Sequence, residues 1–450
     1  MGKIFGTDGI RSKANQYPMT AQIAQKLGIA CADVFRNSEK RQFAIIGQDT
    51  RWSCDMISTA LMSGLCSNGF DVILVGTIPT PGIAFFTRAY NADLGFVVSA
   101  SHNPAFDNGI KIFSQNGFKI SDTIQDKIES IILSDDISTN DIIDKNIGKI
   151  FHDPDAASKY IEYAKKFIIK ENNDNLKIVI DCANGAASSV APEIFKTISK
   201  DLILLNIKPD GTNINDNCGA TKPYLLQQET IKNKADIGIA FDGDADRIII
   251  CDENGHEING DQILAICGID MLKKDTLKNN AIVATEYSNL GLDEAFEKNG
   301  GNVIRVLNGD RYVIEKMKEE NLNLGGEASG HIVFMDSSTT GDGIISAVKV
   351  LNLMIEKNTA ISELAKCISL YPQVLKSINV KSKKDFNKMP SVKDAIESVK
   401  LKLNNNGRLL IRYSGTENKA RIMIEGKDKS EIEQYACDIA NKIKNEIGDN

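Results

Sequence analysis

The sequence predicts an α/β protein of four domains, in which three α/β units are followed by a smaller α+β unit. Short apolar runs alternate with helical patterns along most of the 450 residues, and this β-α-β rhythm is typical of a parallel sheet covered by helices. The hydrophobic fraction of 42% and the charged fraction of 25% are those of a globular protein. A different order of elements after residue 371 separates the last unit from the others.

The first predicted domain, residues 1–153, begins with a helix over residues 20–36. Thr20 is the expected N-cap of this helix, and apolar side chains follow it at helical spacing. Buried strands separated by helical stretches are expected at residues 43–46, 72–75 and 94–98. The polar stretch at residues 134–157 marks the end of the domain.

The remaining predicted domains span residues 154–254, 255–370 and 371–450. The second has strands that begin at residues 177 and 248. The third has strands within AIVATEY, NVIRVLNGDRY and HIVFMD, and it ends in an apolar helix around residues 344–355. The fourth reads strand, helix, two strands and helix, at residues 377–380, 392–403, 408–413, 420–425 and 430–443.

The charge and the cysteines narrow the class of protein. The formal net charge of −7 disfavours polyanionic partners, so we expect neither nucleic acid nor a membrane surface as a partner. The nine cysteines contain no CxxC pair, which disfavours a zinc site or a disulfide framework. The first residues lack the apolar core of a signal peptide, and no apolar run approaches the ~20 residues that span a bilayer. We therefore expect a cytoplasmic protein with reduced thiols.

The first of four polar motifs is VVSASHNP at residues 97–104. Ser99 and Ser101 follow a predicted strand, at the edge where parallel sheets place their ligand sites. One interpretation makes Ser101 a nucleophile exposed on a loop; an ordinary Ser/Asn/Pro turn is an equal alternative. A serine hydroxyl needs a base, a metal or a preformed phosphoester to react.

The second motif is FDGDADRIII at residues 241–250. Asp242, Asp244 and Asp246 repel one another unless a cation lies between them, and all-oxygen ligands suit Mg²⁺, Mn²⁺ or Ca²⁺. An EF-hand is excluded because Arg247 stands where that loop requires glycine. The alternative to a metal site is a solvated acidic turn.

The third motif is LGGEASGH at residues 324–331. Glu327 and Ser329 lie between glycines, and such side chains can bind neighbouring sugar hydroxyls. A glycine-rich hairpin is the alternative, and the string alone favours it.

The fourth motif is RYSGTENKAR at residues 412–421. The turn after its predicted strand offers successive N–H groups and two hydroxyls to a phosphate, and an arginine at each end of the motif can neutralise it. The residues concerned are Arg412, Ser414, Gly415, Thr416 and Arg421. One motif lies in each predicted domain, and together they predict phosphoryl transfer on a sugar phosphate in a cleft that all four motifs line.

The chain resembles the α-D-phosphohexomutase family over essentially its whole length. The strings that carry the resemblance are FGTDGIR (5–11), SASHNP (99–104), DNGIKIF (107–113), DCANGAAS (181–188), DGDADR (242–247), NGDRYV (308–313), GGEASGH (325–331), TTGDG (339–343) and RYSGTEN (412–418).

The resemblance implies a fold and a reaction. The fold would be three α/β domains with mixed sheets and a C-terminal α+β domain of the TATA-binding-protein-like type, heart-shaped with a central cleft. The enzyme would be an isomerase in which phosphorylated Ser101 gives its phosphoryl group to the substrate and takes the other phosphate back from a 1,6-bisphosphate. Glucosamine 6-phosphate would become glucosamine 1-phosphate, for UDP-N-acetylglucosamine synthesis. Mannose and glucose phosphates are the alternative substrates.

The resemblance also implies site roles. One Mg²⁺ per chain would be bound by Asp242, Asp244, Asp246 and the Ser101 phosphate, and glucosamine or glucose 1,6-bisphosphate would be the activator. The residues expected to stabilise charge or to act beside the nucleophile are Arg11, His102, Lys111 and Arg247. Lys111 is the first candidate for the general base or acid, and the alternatives are His331 and Arg11. A lysine that acts as the base would need its pKa lowered by burial or by cationic neighbours. The expected substrate-binding residues are Asp310, Arg311, Glu327, Ser329, His331, Arg412, Ser414, Gly415, Thr416 and Arg421. A monomer and a homodimer both remain open.

Overall fold

The structure is a computed structural model, and it describes residues 4–6, 8–37, 39–134, 142–169, 176–414 and 418–449. The chain divides into two compact units. The first comprises Met1–Glu286 and Ile304–Lys366, and the second comprises Tyr287–Val303 and Cys367–Asn450. In the part of the chain described, no helix combines the length and the apolar character needed to cross a membrane.

The N-terminal part of the first unit is a six-stranded sheet with helices between its strands. Its elements are β1 (Ile10–Lys13), α1 (Ala21–Val34), β2 (Phe43–Gln48), α2 (Cys54–Ser67), β3 (Asp71–Thr77), α3 (Thr80–Ala89), β4 (Leu94–Val98), β5 (Asp107–Ser114), α4 (Asp122–Leu133) and β6 (Ile150–His152). The order of strands is β1-β5-β4-β2-β3-β6. The predicted N-cap of α1 is confirmed, because the Thr20 hydroxyl accepts a hydrogen bond from the Ile23 N–H at 3.3 Å.

The rhythm of the sequence predicted a parallel sheet, and this is wrong at one edge. Strands β2, β3, β4 and β6 are parallel, but β5 runs antiparallel to both β4 and β1. The loop between β4 and β5 is too short to hold the crossover helix that a parallel pair requires. The sheet is therefore mixed, as the family resemblance implied. This short loop carries Ser101.

The second sheet has five strands. The elements that follow β6 are α5 (Ala156–Lys165), β7 (Lys177–Asp181), α6 (Ala191–Ile198), β8 (Asp201–Leu205), α7 (Tyr224–Lys232), β9 (Ile237–Phe241), β10 (Ile248–Asp252) and β11 (Glu257–Ile258). The order of strands is β11-β10-β9-β7-β8. Strand β7 is parallel to β8 and β9, whereas β10 is antiparallel to β9. The hairpin between β9 and β10 carries the three aspartates.

The third sheet has the order β13-β12-β14-β15. The elements of this region are α8 (Gly260–Lys273), β12 (Ala281–Thr285), α9 (Leu290–Lys298), β13 (Asn302–Val306), α10 (Asp310–Glu319), β14 (Leu324–Gly326), β15 (Ile332–Phe334), α11 (Gly343–Lys357) and α12 (Ile361–Ala365). Strands β14 and β15 are antiparallel neighbours, so Glu327 and Ser329 lie in the turn of a hairpin. Asp342 caps α11 by accepting a hydrogen bond from the Ile345 N–H at 2.9 Å.

The C-terminal part of the second unit has the predicted α+β order. Its elements are β16 (Gln373–Asn379), α13 (Pro390–Leu403), β17 (Gly407–Tyr413), β18 (Lys419–Gly426) and α14 (Lys429–Ile447). The antiparallel sheet has the order β16-β18-β17. Apolar side chains of the helices and strands form one buried core, which includes Ile396, Val399, Ile422, Ile424, Ile439 and Ile443. The predicted limits of the four domains, at residues 153, 254 and 370, stay predictions.

Candidate active site

Ser101 lies in the loop after β4, and it is not the exposed residue that the sequence suggested. Its side chain is buried, with 1% of the residue accessible, and its backbone is left-handed with φ 53°. The hydroxyl donates a hydrogen bond to Asp242 Oδ2 at 2.6 Å. The Ser101 Oγ is also 3.4 Å from the His102 Nδ1. The loop folds inward because its carbonyl groups accept hydrogen bonds from the buried Arg51 guanidinium.

The three aspartates form a compact buried cluster. One ligand oxygen from each of Asp242, Asp244 and Asp246 lies within 4.8 Å of the others. The Oδ1 atoms of Asp244 and Asp246 are buried and have no hydrogen-bond partner among the described residues. A buried carboxylate oxygen without a partner is unfavourable, and a divalent cation would satisfy it. The donor set therefore fits a hard cation.

Lys111 lies beside this cluster on β5. Its Nζ is 2.7 Å from Asp244 Oδ2, 2.7 Å from Asp246 Oδ2 and 3.5 Å from Asp8 Oδ2. Burial alone would lower the pKa of Lys111, but the three carboxylates outweigh burial and hold the pKa well above its ordinary value. A general base at this position would need a lowered pKa, and the carboxylates around Lys111 have the opposite effect.

The carboxyl groups of the cluster differ in their pKa. Burial raises the pKa of Asp242 well above its ordinary value, and the charges of Asp246 and Asp244 raise it further. The pKa of Asp246 is low despite burial, because Lys111, His331 and Arg247 favour its ionised form. The cluster therefore binds a proton most readily at Asp242, next to the Ser101 hydroxyl, and Asp246 carries its negative charge.

Two arginines and one histidine complete this part of the site. The Arg247 N–H donates to Asp242 Oδ1 at 3.1 Å, and its side-chain Nε is 3.9 Å from Asp246 Oδ1. Arg11 forms an ion pair with Asp8. Burial, together with Arg247 and Arg11, lowers the pKa of His102 to about 4. His102 is therefore a neutral imidazole at neutral pH.

The hairpin between β14 and β15 holds a carboxylate in a fixed orientation. Glu327 Oε1 accepts a hydrogen bond from the Gly309 N–H at 3.1 Å, and Glu327 Oε2 accepts one from the Ser329 hydroxyl at 2.9 Å. Both ring nitrogens of the buried His331 lack a hydrogen bond among the described residues, and His331 Nε2 is 3.6 Å from Asp310 Oδ2. The hairpin and the sugar-binding interpretation are thus compatible.

Lys119 connects this hairpin region to the loop that carries the three aspartates. Its ammonium group forms ion pairs with Asp8 and with Asp310. Asp8 also faces Lys111, so ion pairs join the region of His331 to the aspartate cluster. Arg311, in contrast, pairs with Asp122 and Glu315, neither of which is a predicted site residue.

Sequence reasoning missed several residues that contact the site. They are Asp8, Asp49, Arg51, Thr80, Lys119 and Asn215. Thr80, at the start of α3, donates to Asp244 Oδ2 at 2.5 Å. The one available signal was the position of Asp49 and Arg51 directly after β2, at the same edge of the sheet as Ser101.

The phosphate motif belongs to the second unit. Arg412 on β17 and Arg421 on β18 are directly opposite one another in the antiparallel register. The Arg412 Nε donates to the Tyr287 hydroxyl at 2.9 Å. The Ser414 carbonyl accepts a hydrogen bond from the Lys383 ammonium at 2.6 Å. Gly415 and Thr416 lie outside the described residues.

In the first unit, the Ser101 hydroxyl lies against a cluster of three aspartates whose oxygens suit a divalent cation. This combination is typical of a metal-dependent phosphoryl-transfer enzyme. Comparison with known families is consistent with this class. The phosphoglucomutase/phosphomannomutase family models match the chain four times: alpha/beta/alpha domain I at residues 2–138, domain II at 158–255, domain III at 259–371, and the C-terminal domain at 375–442. The chain belongs to this phosphohexomutase family, whose members depend on a metal ion.

Individual relatives agree with the family. The chain is 48% identical to a phosphoglucosamine mutase from Pelobacter propionicus, over 100% of both chains. It is 47% identical to a phosphoglucosamine mutase from Geotalea uraniireducens, over 100% of this chain and 99% of the relative.

Solved structures share the fold. A phosphoglucomutase/phosphomannomutase family protein from Burkholderia thailandensis has a TM-score of 0.82 at 23% identity, covering 98% of this chain and 97% of its own. The N-acetylphosphoglucosamine mutase of Aspergillus fumigatus, solved with GlcNAc-6P and magnesium, has a TM-score of 0.70 at 17% identity, covering 98% and 95%.

Proposed function

We propose that this chain is a phosphoglucosamine mutase, an isomerase that interconverts glucosamine 6-phosphate and glucosamine 1-phosphate. The relatives that share 46–48% identity over the whole chain carry that name, and this supports the amino sugar as the substrate. The single observation that carries the chemistry is the hydrogen bond from Ser101 Oγ to Asp242 Oδ2. A phosphomannomutase or phosphoglucomutase activity is the less supported alternative.

The proposed reaction uses phosphorylated Ser101. An oxygen of the substrate forms a bond to phosphorus while the bond between phosphorus and Ser101 Oγ breaks. The substrate hydroxyl loses its proton, and Ser101 Oγ gains one. The resulting 1,6-bisphosphate turns over, the other phosphate returns to Ser101, and the isomer leaves. Glucosamine or glucose 1,6-bisphosphate would therefore activate an unphosphorylated chain.

Asp242, Asp244, Asp246 and the Ser101 phosphate would bind one Mg²⁺ per chain. The oxygen-only donor set favours this ion over zinc, and the buried Oδ1 atoms of Asp244 and Asp246 accept no hydrogen bond from the described residues. When bound, Mg²⁺ supplies positive charge that offsets the charge developing on the phosphoryl group. A relative of the same fold was solved with magnesium.

Cationic side chains of the first unit supply further positive charge. Lys111, Arg11 and Arg247 surround the aspartate cluster and would stabilise a phosphoryl group in transfer. The Lys111 ammonium group is 2.7 Å from Asp244 Oδ2 and from Asp246 Oδ2, so we assign it charge stabilisation and proton donation. Neither ring nitrogen of the buried His331 has a hydrogen bond within the described part of the chain, and His331 is therefore the better candidate for the base, with Arg11 as the remaining alternative. The neutral His102 lies beside the nucleophile.

The other predicted residues would bind the substrate. Glu327 and Ser329 would accept and donate hydrogen bonds at the sugar hydroxyls, with Asp310 and His331 beside them. Arg311 is the weakest of the predicted substrate-binding residues, because Asp122 and Glu315 already pair with it. The phosphate that does not react would be bound by the motif of the second unit, namely Arg412, Ser414, Gly415, Thr416 and Arg421. Arg412 and Arg421 are directly opposite one another in the sheet, and guanidinium groups suit the oxygens of a phosphate.

A cytoplasmic location is part of the proposal. All nine cysteines are free thiols, which is typical of a reducing compartment. A homodimer stays a prediction, and analytical ultracentrifugation of the purified chain would test it.

The proposed activity is tested with a coupled assay of glucosamine 1-phosphate formation, with and without glucose 1,6-bisphosphate. Glucosamine, glucose and mannose 6-phosphates are compared at equal concentration. We expect the highest kcat/KM with glucosamine 6-phosphate, and stimulation by the bisphosphate. Higher kcat/KM with mannose or glucose 6-phosphate would favour the alternative enzyme.

A further inference from the structure

The Arg51 side chain is entirely buried and binds the loop that carries Ser101. Its Nη2 donates to the carbonyl of Ser101 at 2.9 Å and to the carbonyl of Asn103 at 2.8 Å. Its Nη1 donates to the carbonyls of Pro104 and, at 3.0 Å, of Asp107. The Arg51 guanidinium therefore binds four carbonyl groups between residues 101 and 107.

Asp49 fixes the orientation of this guanidinium. Its Oδ2 accepts from Arg51 Nε at 2.9 Å and from the Ser99 hydroxyl at 2.6 Å. The Ser99 hydroxyl in turn accepts the Ser101 N–H at 2.9 Å. Both the N–H and the carbonyl of Ser101 are thus bound to the same buried group of side chains.

Asn215 binds the same loop from the region of the second sheet. Its Nδ2 donates to the Ser101 carbonyl at 2.8 Å and to the Asn103 carbonyl at 3.0 Å. Gly243, between the first two aspartates, passes so close that a β-carbon there would lie 2.6 Å from the Ser101 carbonyl oxygen and 2.8 Å from Asn215 Nδ2. The loop between β4 and β5 and the loop between β9 and β10 therefore approach one another closely at the carbonyl oxygen of Ser101.

We propose that Arg51 and Asn215 are positioning residues for phosphoryl transfer, which hold the left-handed backbone of Ser101 so that its hydroxyl faces the aspartate cluster. The inference rests on the proposed function. Neither residue touches the reacting atoms. Arg51 orients the loop from its own sheet, and Asn215 couples it to the sheet that carries Asp242. A small displacement of a reacting group slows a reaction far more than it weakens binding.

The test compares Arg51→Lys with Arg41→Lys. Arg41 is the control for the donor pattern, because it also pairs with an aspartate, Asp71, and donates to main-chain carbonyls, those of Asn146 and Ile147. None of these residues belongs to the site, and the Arg41 side chain is 39% exposed, whereas that of Arg51 is buried. Lysine keeps the charge but not the fork of donors. We expect Arg51→Lys to lower kcat by about 100-fold with KM for glucosamine 6-phosphate unchanged, whereas Arg41→Lys keeps the wild-type kcat.

A second pair keeps the inference testable if Arg51→Lys does not fold. Asn215 and Asn217 both have positive φ, 58° and 52°, which glycine adopts without strain. Among the residues that the structure describes, the side chain of Asn217 donates only to its neighbour Asp216, at 3.0 Å. We expect Asn215→Gly to lower kcat at constant KM and Asn217→Gly to leave both unchanged.

A direct readout is the rate at which glucose 1,6-bisphosphate phosphorylates Ser101, followed by intact mass, together with Mn²⁺ binding. We expect slower phosphorylation in Arg51→Lys and Asn215→Gly with Mn²⁺ affinity kept. The inference is overturned if these variants match their controls in kcat and phosphorylation rate, or if KM and Mn²⁺ affinity change as much as kcat. A wild-type chain without turnover of glucosamine 6-phosphate would instead refute the proposed function, while the phosphorylation rates would still decide the inference.

Discussion

The Ser101 hydroxyl donates a 2.6 Å hydrogen bond to Asp242 Oδ2, and these two residues belong to loops of different sheets. Burial also raises the pKa of Asp242 well above its ordinary value. A phosphate on Ser101 would remove the donated proton and add negative charge at that position. Phosphorylation therefore increases the need for a cation beside Asp242, which links the covalent state of Ser101 to metal binding.

We first predict that Ser101→Ala abolishes mutase turnover, with kcat lower by at least about 1,000-fold, because the phosphoryl acceptor is lost. The fold should persist, since alanine keeps the β-carbon and removes one hydrogen bond, worth about 1 kcal/mol. Intact-mass analysis should find one phosphate on the wild type after treatment with glucose 1,6-bisphosphate and none on the variant.

Ser114→Ala is the control, because the Ser114 hydroxyl donates to the Phe118 carbonyl within its own hairpin and to no other described residue. It should accept phosphate as the wild type does. Peptide mapping that located the phosphate on Ser99 instead of Ser101 would contradict the assignment of the nucleophile.

We next predict that Asp244→Asn weakens the binding of Mg²⁺ and lowers kcat strongly, because one of three anionic ligands becomes neutral. Isothermal titration with MgCl₂ and turnover after chelation measure the two effects. Asp252→Asn is the control, since Asp252 is a buried carboxyl of the same sheet that accepts turn N–H groups. Zn²⁺ should support turnover poorly. Full activity after exhaustive chelation would refute a metal role for the cluster.

The local features of the fold could be predicted from the sequence. The strand at residues 94–98, the N-cap at Thr20 and the order of elements in the C-terminal domain all follow from short-range patterns, and the structure confirms them. The clustering of the three aspartates could also be predicted, because their two-residue spacing in a tight turn brings the carboxylates together without help from the rest of the chain.

Features that depend on distant contacts could not be predicted. Lys119 meets Asp310 across 191 residues, and Thr80 meets Asp244 across 164. No periodicity or spacing encodes such pairs. The burial of Ser101 and the raised pKa of Lys111 could not be predicted for the same reason, because side chains from other loops determine both.

A pH-dependent stability is predicted for Asp342. Burial raises the pKa of Asp342 to about 6, although the Ile345 N–H at 2.9 Å and the Tyr160 hydroxyl at 3.0 Å favour its ionised form. The folded state thus binds this proton more tightly than the unfolded state, so stability is lost as pH rises through the window from about 4 to about 6. Asp342→Asn removes this loss and can still cap α11.

Scanning calorimetry at pH 5 and pH 7.5 measures the effect. The variant should gain stability relative to the wild type by about 1 kcal/mol between the two values. Asp336→Asn is the control, because burial is outweighed by Lys278 and Asn323 and the pKa of Asp336 is lowered. The titration of Asp336 is therefore complete below pH 5. Equal pH dependence of both variants would contradict the raised pKa of Asp342.

The last prediction concerns Arg412 and the phosphate that does not react. Remote binding energy orients a substrate for reaction, and a lost charged hydrogen bond is worth about 1.5–3 kcal/mol, or roughly ten- to a hundredfold in binding. Arg412→Ala should therefore raise KM and release more free bisphosphate per turnover, because the intermediate is bound less well while it turns over. Arg412→Lys should restore part of the charge but not the paired contact.

Arg408→Ala is the control on the same strand. Arg408 pairs with Glu425, so Arg408→Ala should lower stability more than it changes KM. If Arg412→Ala changes neither KM nor the bisphosphate found in solution, the motif is a structural turn, and the phosphate is bound elsewhere.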